Sequence, residues 1–335
     1  MTPQQPMLSI VVAAYNVENT LDRIFKHVLA CTSLDDLEVV VVNDGSKDST
    51  MQLARHYEAK YPHLVQVVDK ANGGHGSALS AGFKAAHGKF CRPLDGDDWL
   101  DPQGVDELVR FLSTTNADMV ICDHIKMNLD TNETKRISSS LEPNTMLAVE
   151  DLVQSTPLPG YHDIVFATQV LHRIPELDHH CFYVDNEYDA YPLFWVNEIW
   201  YLPQTVYVHT VGNDEQSTSN ASLIRNESNI RTVFFSLMDY CTAHRDHQAA
   251  VAVTQRYALG LLYLFTRVAF EMPPREGSAK LREFYASIQE RYPEFYTQSM
   301  GQIPDIYKRL GCHGYWLIRL MIHWRYRNNR SIVWQ

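Results

Sequence analysis

In the first 125 residues the hydrophobic pattern switches repeatedly between two periods. Short β-branched runs occur at Leu8–Ala14, Leu37–Val42, Leu64–Val68, Lys89–Leu94 and Met119–Cys122. Stretches of helical period lie between them, at Glu18–Leu29, Ser49–Lys60, Ser77–Ala86 and Pro102–Leu112. An unbroken apolar strand such as Val39-Val40-Val41-Val42 suits a parallel sheet covered on both faces. Strand and helix in alternation mean βαβ units with right-handed crossovers. Asp101-Pro102 is a helix start, with Asp as N-cap and Pro at the first helical position. The first half therefore predicts a doubly wound α/β domain with a mostly parallel sheet.

The pattern loosens after about residue 125. Residues 128–146 are polar and read as a hairpin or surface excursion, and residues 161–210 mix short elements. From Leu223 the period is helical, at Leu223–Tyr240, Ala249–Phe270, Ser278–Glu290 and Ile303–Tyr326. This predicts two domains, a catalytic one at 1–220 and a small α-helical C-terminal module at 221–335.

Charge and cysteine usage exclude several classes. Lys plus Arg number 29 against 40 for Asp plus Glu, a net charge of -11, which argues against nucleic acid as partner. The 6 cysteines include no C-x-x-C, so neither a disulfide framework nor a zinc ribbon is expected. No run of apolar residues is long enough to span a membrane, and the N-terminus lacks a basic leader region. These features predict a cytoplasmic protein. Residues 306–335 carry Lys308, Arg309, Arg319, Arg325, Arg327 and Arg330 and no acid. Two readings of that aromatic, basic segment stay open. Its apolar stripe packs on the protein and its arginines face water, or it lies on an anionic membrane surface. The helical module is equally a candidate for homo-oligomer contacts.

Ligands of open α/β sheets bind beyond the carboxyl ends of the strands. There the sequence has Ala14-Tyr15-Asn16, Asn43-Asp44-Gly45-Ser46, Asn72-Gly73-Gly74-His75-Gly76-Ser77 and Asp95-Gly96-Asp97-Asp98. The third of these is not a dinucleotide fingerprint, because Leu79 stands where the last Gly belongs and the loop follows the third strand. P-loop and nucleophile-elbow motifs are absent. Three carboxylates within four residues repel one another unless a cation screens them. Alternate carboxylates at a strand end can hold a hard divalent ion with positions left for phosphate oxygens.

Ser9-Ile10-Val11-Val12-Ala13-Ala14-Tyr15-Asn16, Asn43-Asp44-Gly45-Ser46-x-Asp48-x-Thr50 and Leu94-Asp95-Gly96-Asp97-Asp98-Trp99 resemble, in order and spacing, the family 2 glycosyltransferases of GT-A fold. The resemblance covers roughly residues 7–220. It implies inverting transfer of a sugar from a nucleotide diphosphate, usually UDP, to a hydroxyl, with Mn²⁺ or Mg²⁺. By position, Tyr15 and Asp44 would hold the nucleobase and Asn72 and the glycines after it the nucleoside. Ala14, Gly74, Ser77, Asp95 and Gly96 complete the nucleotide site. Asp97 would be the principal metal ligand, with Asp95 and His209 as further ligands. Asp185 aligns with the family's base, and Glu187 is the alternative. Gln216, Ser217 and Ser219 are candidates for a lid. Where the family often has an Arg, this chain has Leu79, and Lys70, His75 or Arg92 are the cations available to replace it. The GGHGSAL segment resembles bacterial surface-polysaccharide enzymes, which implies a glycan or lipid-linked acceptor and a place at the inner face of the membrane. A nucleotidyltransferase would want a Gly-rich basic loop after the first strand, which is missing. A non-catalytic sugar-nucleotide scaffold is the other alternative, favoured by Val184 and Leu79.

Overall fold

The computed structural model describes residues 5–212 and 220–327. Two compact units divide the chain, one spanning Met1–Asp214 and Ala243–Thr254, the other Glu215–Thr242 and Gln255–Gln335. The candidate lid residues Gln216, Ser217 and Ser219 lie outside the described residues.

The first unit is built on one sheet. Its strands are β1 (Leu8–Ala14), β2 (Leu37–Asp44), β3 (Val65–Lys70), β4 (Phe90–Asp95), β5 (Trp99–Leu100), β6 (Met119–Asn128), β7 (Thr134–Ile137), β8 (Met146–Leu147), β9 (Ile164–Ala167) and β10 (Ile199–Val211). The order is β3-β2-β1-β4-β9-β6-β10-β5, with β7 on β6 and β8 on β10. The long pairings β1–β2, β2–β3, β1–β4 and β6–β10 are parallel. The antiparallel ones made by β5, β7, β8 and β9 are short. Every residue of β2 is buried, as its run of valines requires for a strand covered on both faces.

Helices α1 (Leu21–Val28), α2 (Thr50–Lys60), α3 (His75–Ala85) and α4 (Pro102–Leu112) follow the first strands. The Asp101 carboxylate accepts from the Gly104 N–H at 2.8 Å, the cap that the sequence predicts. The chain passes from β1 outward to β2 and β3, then returns to place β4 on the other side of β1. That reversal puts Ala13 opposite Asp95 across the β1–β4 pair. The loops after β1 and β4 therefore open side by side at the switch point, where α/β sheets bind ligands. Short helices α5 (Val149–Leu152), α6 (Thr168–Leu171) and α7 (Asp185–Ala190) complete this part.

The remaining helices are α8 (Asn220–Arg225), α9 (Glu227–Ala243), α10 (Gln248–Glu271), α11 (Pro274–Arg291), α12 (Pro293–Thr297), α13 (Gln302–Leu310) and α14 (Cys312–Arg327). In the second unit α9 buries Ile230, Val233, Phe234, Leu237, Met238 and Cys241, one stripe at helical spacing. Phe284 of α11 meets Phe234 and Phe265 edge-on, at centroid distances of 5.0 and 4.7 Å. The predicted helix 303–326 is two helices, because Gly311 takes a left-handed φ of 54° and ends α13. On α14, Tyr315 and Ile318 are buried and Arg319 donates to the Phe270 carbonyl at 2.7 Å. Trp316, Leu317, Leu320 and Met321 are exposed. The side chains turned to solvent on this part of α14 are thus mainly apolar, and Arg325, Arg327 and Arg330, on which the packed-stripe reading turns, lie outside the described side chains.

Candidate active site

The N-D-G-S-x-D-x-T segment works as a set of joints. Ser46 Oγ accepts from the Asn16 N–H at 3.0 Å, and Thr50 Oγ1 accepts from the Val17 N–H at 2.8 Å. Asp48 accepts from the N–H groups of Glu18 and Thr50, at 3.1 and 3.0 Å. These bonds tie the β2–α2 loop to the β1–α1 loop and fix Tyr15 at the rim. Asn16 sits at φ 54°, a left-handed position that Asn tolerates.

Asp44 organises the next loop. Its Oδ1 accepts from Lys70 Nζ at 2.6 Å and from the Gly73 N–H at 2.9 Å. Its Oδ2 accepts from Asn72 Nδ2 at 3.1 Å and from the Gly74 N–H at 2.8 Å. With both oxygens of a buried carboxylate so engaged, the side chain shapes the loop that opens α3.

The glycines there allow a close approach of backbone. A Cβ on Gly74 would lie 2.8 Å from the His180 nitrogen, and one on Gly76 2.4 Å from the Asp178 carbonyl oxygen. Gly74 also has φ +84°. The 177–182 segment can therefore lie on the start of α3, and the His180 N–H donates to the Gly73 carbonyl at 2.7 Å. A cleft of about 390 Å³ results, lined by Ala13, Ala14, Tyr15, Asp44, Asn72, Gly74, His75, Ala78, His180, Cys181 and Phe182. Five of the nucleotide-site residues read from sequence meet there: Ala14, Tyr15, Asp44, Asn72 and Gly74. Ser77 is buried beside Gly73, Gly96 is buried against Val17, and neither lines the cleft. Sequence reasoning missed Phe182 as a cleft residue. It is exposed, as is Tyr15.

His75 links this cleft to the acidic edge, with Nε2 3.7 Å from Asp95 Oδ1. Tyr161 Oη donates to the same oxygen at 2.9 Å. Burial pushes Asp95 above the usual carboxylate range, with His75 opposing and Asp97 adding to the rise. Burial and the charge of Asp95 push the Tyr161 phenol well above its ordinary value, so it stays a donor. Asp98 is buried and held by Thr210 N at 2.7 Å, Thr210 Oγ1 at 2.9 Å and Tyr207 Oη at 2.8 Å. It anchors the loop to β10, and burial with the neighbouring carboxylates raises it well above its ordinary value. Asp97 is exposed, and among the described residues no side chain bonds its carboxylate. Its carbonyl accepts from Arg23 and Thr210.

This edge fits a hard divalent cation. Burial, with neighbouring carboxylates adding to it, raises Asp95 and Asp98, a cost that a cation would relieve, and the exposed Asp97 offers oxygens. Ligand atoms of Asp95, Asp98 and His162 lie within 4.8 Å of one another, as do those of His124, His162 and His209. His209 thus groups with two other histidines, and Asp97 is in neither group. His162 stacks on His209 at 4.1 Å between centroids. Burial and Lys126 lower His209 to about 4, so both ring nitrogens are not protonated together at neutral pH.

Of the three cations offered in place of the family's Arg, Lys70 is bound to Asp44 and Arg92 is fully buried with Nη2 on the His162 carbonyl. His75 alone of the three lines the cleft.

The two base candidates part here. Glu187 is fully buried, accepting from the Asp178 N–H at 2.8 Å and from Tyr191 Oη at 3.2 Å. Burial pushes it up to about 8. Asp185, at the first turn of α7, is half-buried. Burial raises it, with His75 opposing and the charge of Asp95 adding to the rise, which sets it beside the acidic edge.

Residues 9–172 match the domain described as glycosyl transferase family 2. A putative glycosyltransferase of Bacillus subtilis, EpsH, is 34% identical over 131 residues, 39% of this chain and 37% of EpsH. The chain thus spans well under half the length of that relative. Among solved structures, residues 1–349 of TarS from S. aureus in complex with UDP-GlcNAc align with a TM-score of 0.68 at 17% identity, over 98% of this chain and 93% of that one. The mannosyltransferase PcManGT of Pyrobaculum calidifontis, in complex with GDP-Man and Mn²⁺, aligns with a TM-score of 0.50 at 16% identity, over 95% and 88%. These likenesses show the fold, and the domain match shows the family of residues 9–172. The chain carries a glycosyl transferase family 2 domain at residues 9–172, on a GT-A fold.

Proposed function

We propose that the chain is an inverting glycosyltransferase that takes a sugar from a UDP-sugar and delivers it to a hydroxyl of a glycan or lipid-linked acceptor. The observation that carries this reading is the continuity of the cleft with the acidic edge through His75. The uridine lies between Tyr15 and Phe182, Asn72 and the Gly74 turn meet the nucleoside, and the diphosphate runs past His75 toward Asp95 and Asp97. The two aspartates would hold Mn²⁺ or Mg²⁺, which when bound offsets the charge growing on the leaving diphosphate.

Asp185 takes the acceptor's proton as that oxygen bonds to the anomeric carbon. The bond from that carbon to the diphosphate oxygen breaks on the opposite face, which inverts the centre. A carboxylate raised by burial suits a base better than an ordinary exposed one. Tyr161 orients Asp95 by its hydrogen bond. The test is turnover with UDP-sugars by Asp185→Asn and Glu187→Gln. The first is expected to lower kcat by roughly 10²–10⁴ while UDP affinity stays within threefold. Full activity in Asp185→Asn would remove the base assignment.

The same reading places the enzyme at the inner face of the membrane, held by the exposed apolar face of α14 and its basic neighbours. Among the described residues no helix is long and apolar enough to cross a membrane.

A further inference from the structure

His124, His162 and His209 reach one point from three segments: β6, the loop before β9, and β10. Tyr207 pairs with His124 across the parallel β6–β10 ladder, and His209 follows two residues later. Strand alternation therefore puts His124, Tyr207 and His209 on one face of the sheet. His162 covers that face, stacked on His209 and edge-on to Tyr207 at 4.9 Å.

Three details go beyond packing. His124 Nδ1 lies 2.5 Å from Asp163 Oδ1. A carboxylate on one ring nitrogen fixes the tautomer and leaves the other nitrogen's lone pair for a ligand, the usual outer partner of a metal-binding His. His209 Nδ1 is buried with no hydrogen-bond partner, which is costly unless something satisfies it. One ligand atom from each ring lies within 4.8 Å of the others. In a tetrahedral shell with Zn–N bonds of ~2.0–2.1 Å the nitrogens stand about 3.4 Å apart, so a modest ring rotation closes the set. The nearby charges are Asp163, Asp95 and Asp98 on one side and Lys126 and Arg92 on the other.

We propose that His124, His162 and His209 form an imidazole site for a borderline divalent cation of the Zn²⁺ class, separate from the oxygen site at Asp95 and Asp97. Imidazole suits Zn²⁺, whereas carboxylate edges suit Mg²⁺ and Mn²⁺. The site abuts the catalytic edge through His162, which shares a second group with Asp95 and Asp98. It does not depend on which nucleotide the cleft takes.

The test uses the purified full chain, stripped by a chelator and titrated with Co²⁺ under visible absorption, then with Zn²⁺ in competition. One equivalent of Co²⁺ is expected, with the intense bands of a low-coordinate imidazole shell, displaced by Zn²⁺. His124→Ala and His209→Ala should each weaken binding by more than about 100-fold, and Asp163→Asn by roughly 10–100-fold. Asp97→Ala should leave the spectrum unchanged. Circular dichroism reads whether each variant folds, and the near-isosteric Asp163→Asn carries the test if the alanine variants do not. Absence of such bands in the wild-type chain overturns the proposal. So does a spectrum lost in Asp97→Ala and kept in His124→Ala. The histidines would then be a packed aromatic cluster around Tyr207.

Discussion

At the scale of single residues, the chemistry turns on how each carboxylate is solvated. Asp97 faces solvent, Asp185 is half-buried, and Asp98 and Glu187 are sealed in. For Glu187 this gives a pH signature. Its folded pKa of about 8 lies above the ordinary 4.5, so between those values the folded state binds more protons than the unfolded one. The contribution of Glu187 to stability is therefore present at low pH and falls as pH rises through that window, by at most about 1.4 kcal/mol per pH unit. Urea melts at pH 5 and pH 8 should show a smaller pH 5-to-8 loss in Glu187→Gln than in the wild type. An unchanged loss would mean that Glu187 is ionised in the fold. Asp44, Asp95, Asp97 and Asp185 were legible in the sequence because motif spacing marks them. Tyr161, His162 and Phe182 were not, because they sit in segments of no regular period and act only through what the fold brings near them.

Among elements, the start of α3 and the 177–182 segment depend on each other. The Gly-rich turn was legible as a helix entry, but the approach of Asp178 and His180 that the glycines permit is a long-range fact that no local pattern carries. Gly76→Ala would set a Cβ 2.4 Å from the Asp178 carbonyl oxygen, a backbone atom with little room to move. We predict a loss of about 1–3 kcal/mol in stability, of the size typical of overpacking. UDP affinity should fall at least fivefold as His180 and Phe182 are pushed from the cleft. Wild-type stability and affinity in this variant would show that the two segments are not packed as described. The five strands read from the sequence match β1, β2, β3, β4 and β6 to within two residues, except that β6 continues to Asn128 to pair with β7, and the two-residue β5 was missed. The helix expected at 303–326 failed at Gly311, since an apolar period continues through a break in φ that only the backbone reveals.

For the molecule as a whole, a net charge of -11 coexists with a last segment that holds six cations and no acid. The exposed Trp316, Leu317, Leu320 and Met321 lie within that segment. An acidic protein would be repelled from an anionic bilayer unless such a face made the contact. We predict that the chain sediments with vesicles containing a third phosphatidylglycerol, and that Leu320→Glu lowers the bound fraction at least fivefold while leaving UDP binding unchanged. If the face instead joins two copies, Leu320→Glu would alter the sedimentation coefficient in the absence of lipid and leave vesicle binding untouched.

The donor site is tested most directly by calorimetric titration with UDP, with and without Mn²⁺, on the wild-type chain and on Asp97→Ala. The account predicts UDP binding that Mn²⁺ strengthens at least tenfold, and an Asp97→Ala variant that loses this strengthening. Absence of UDP binding with Mn²⁺ present, or strengthening by Mn²⁺ that survives in Asp97→Ala, would contradict it.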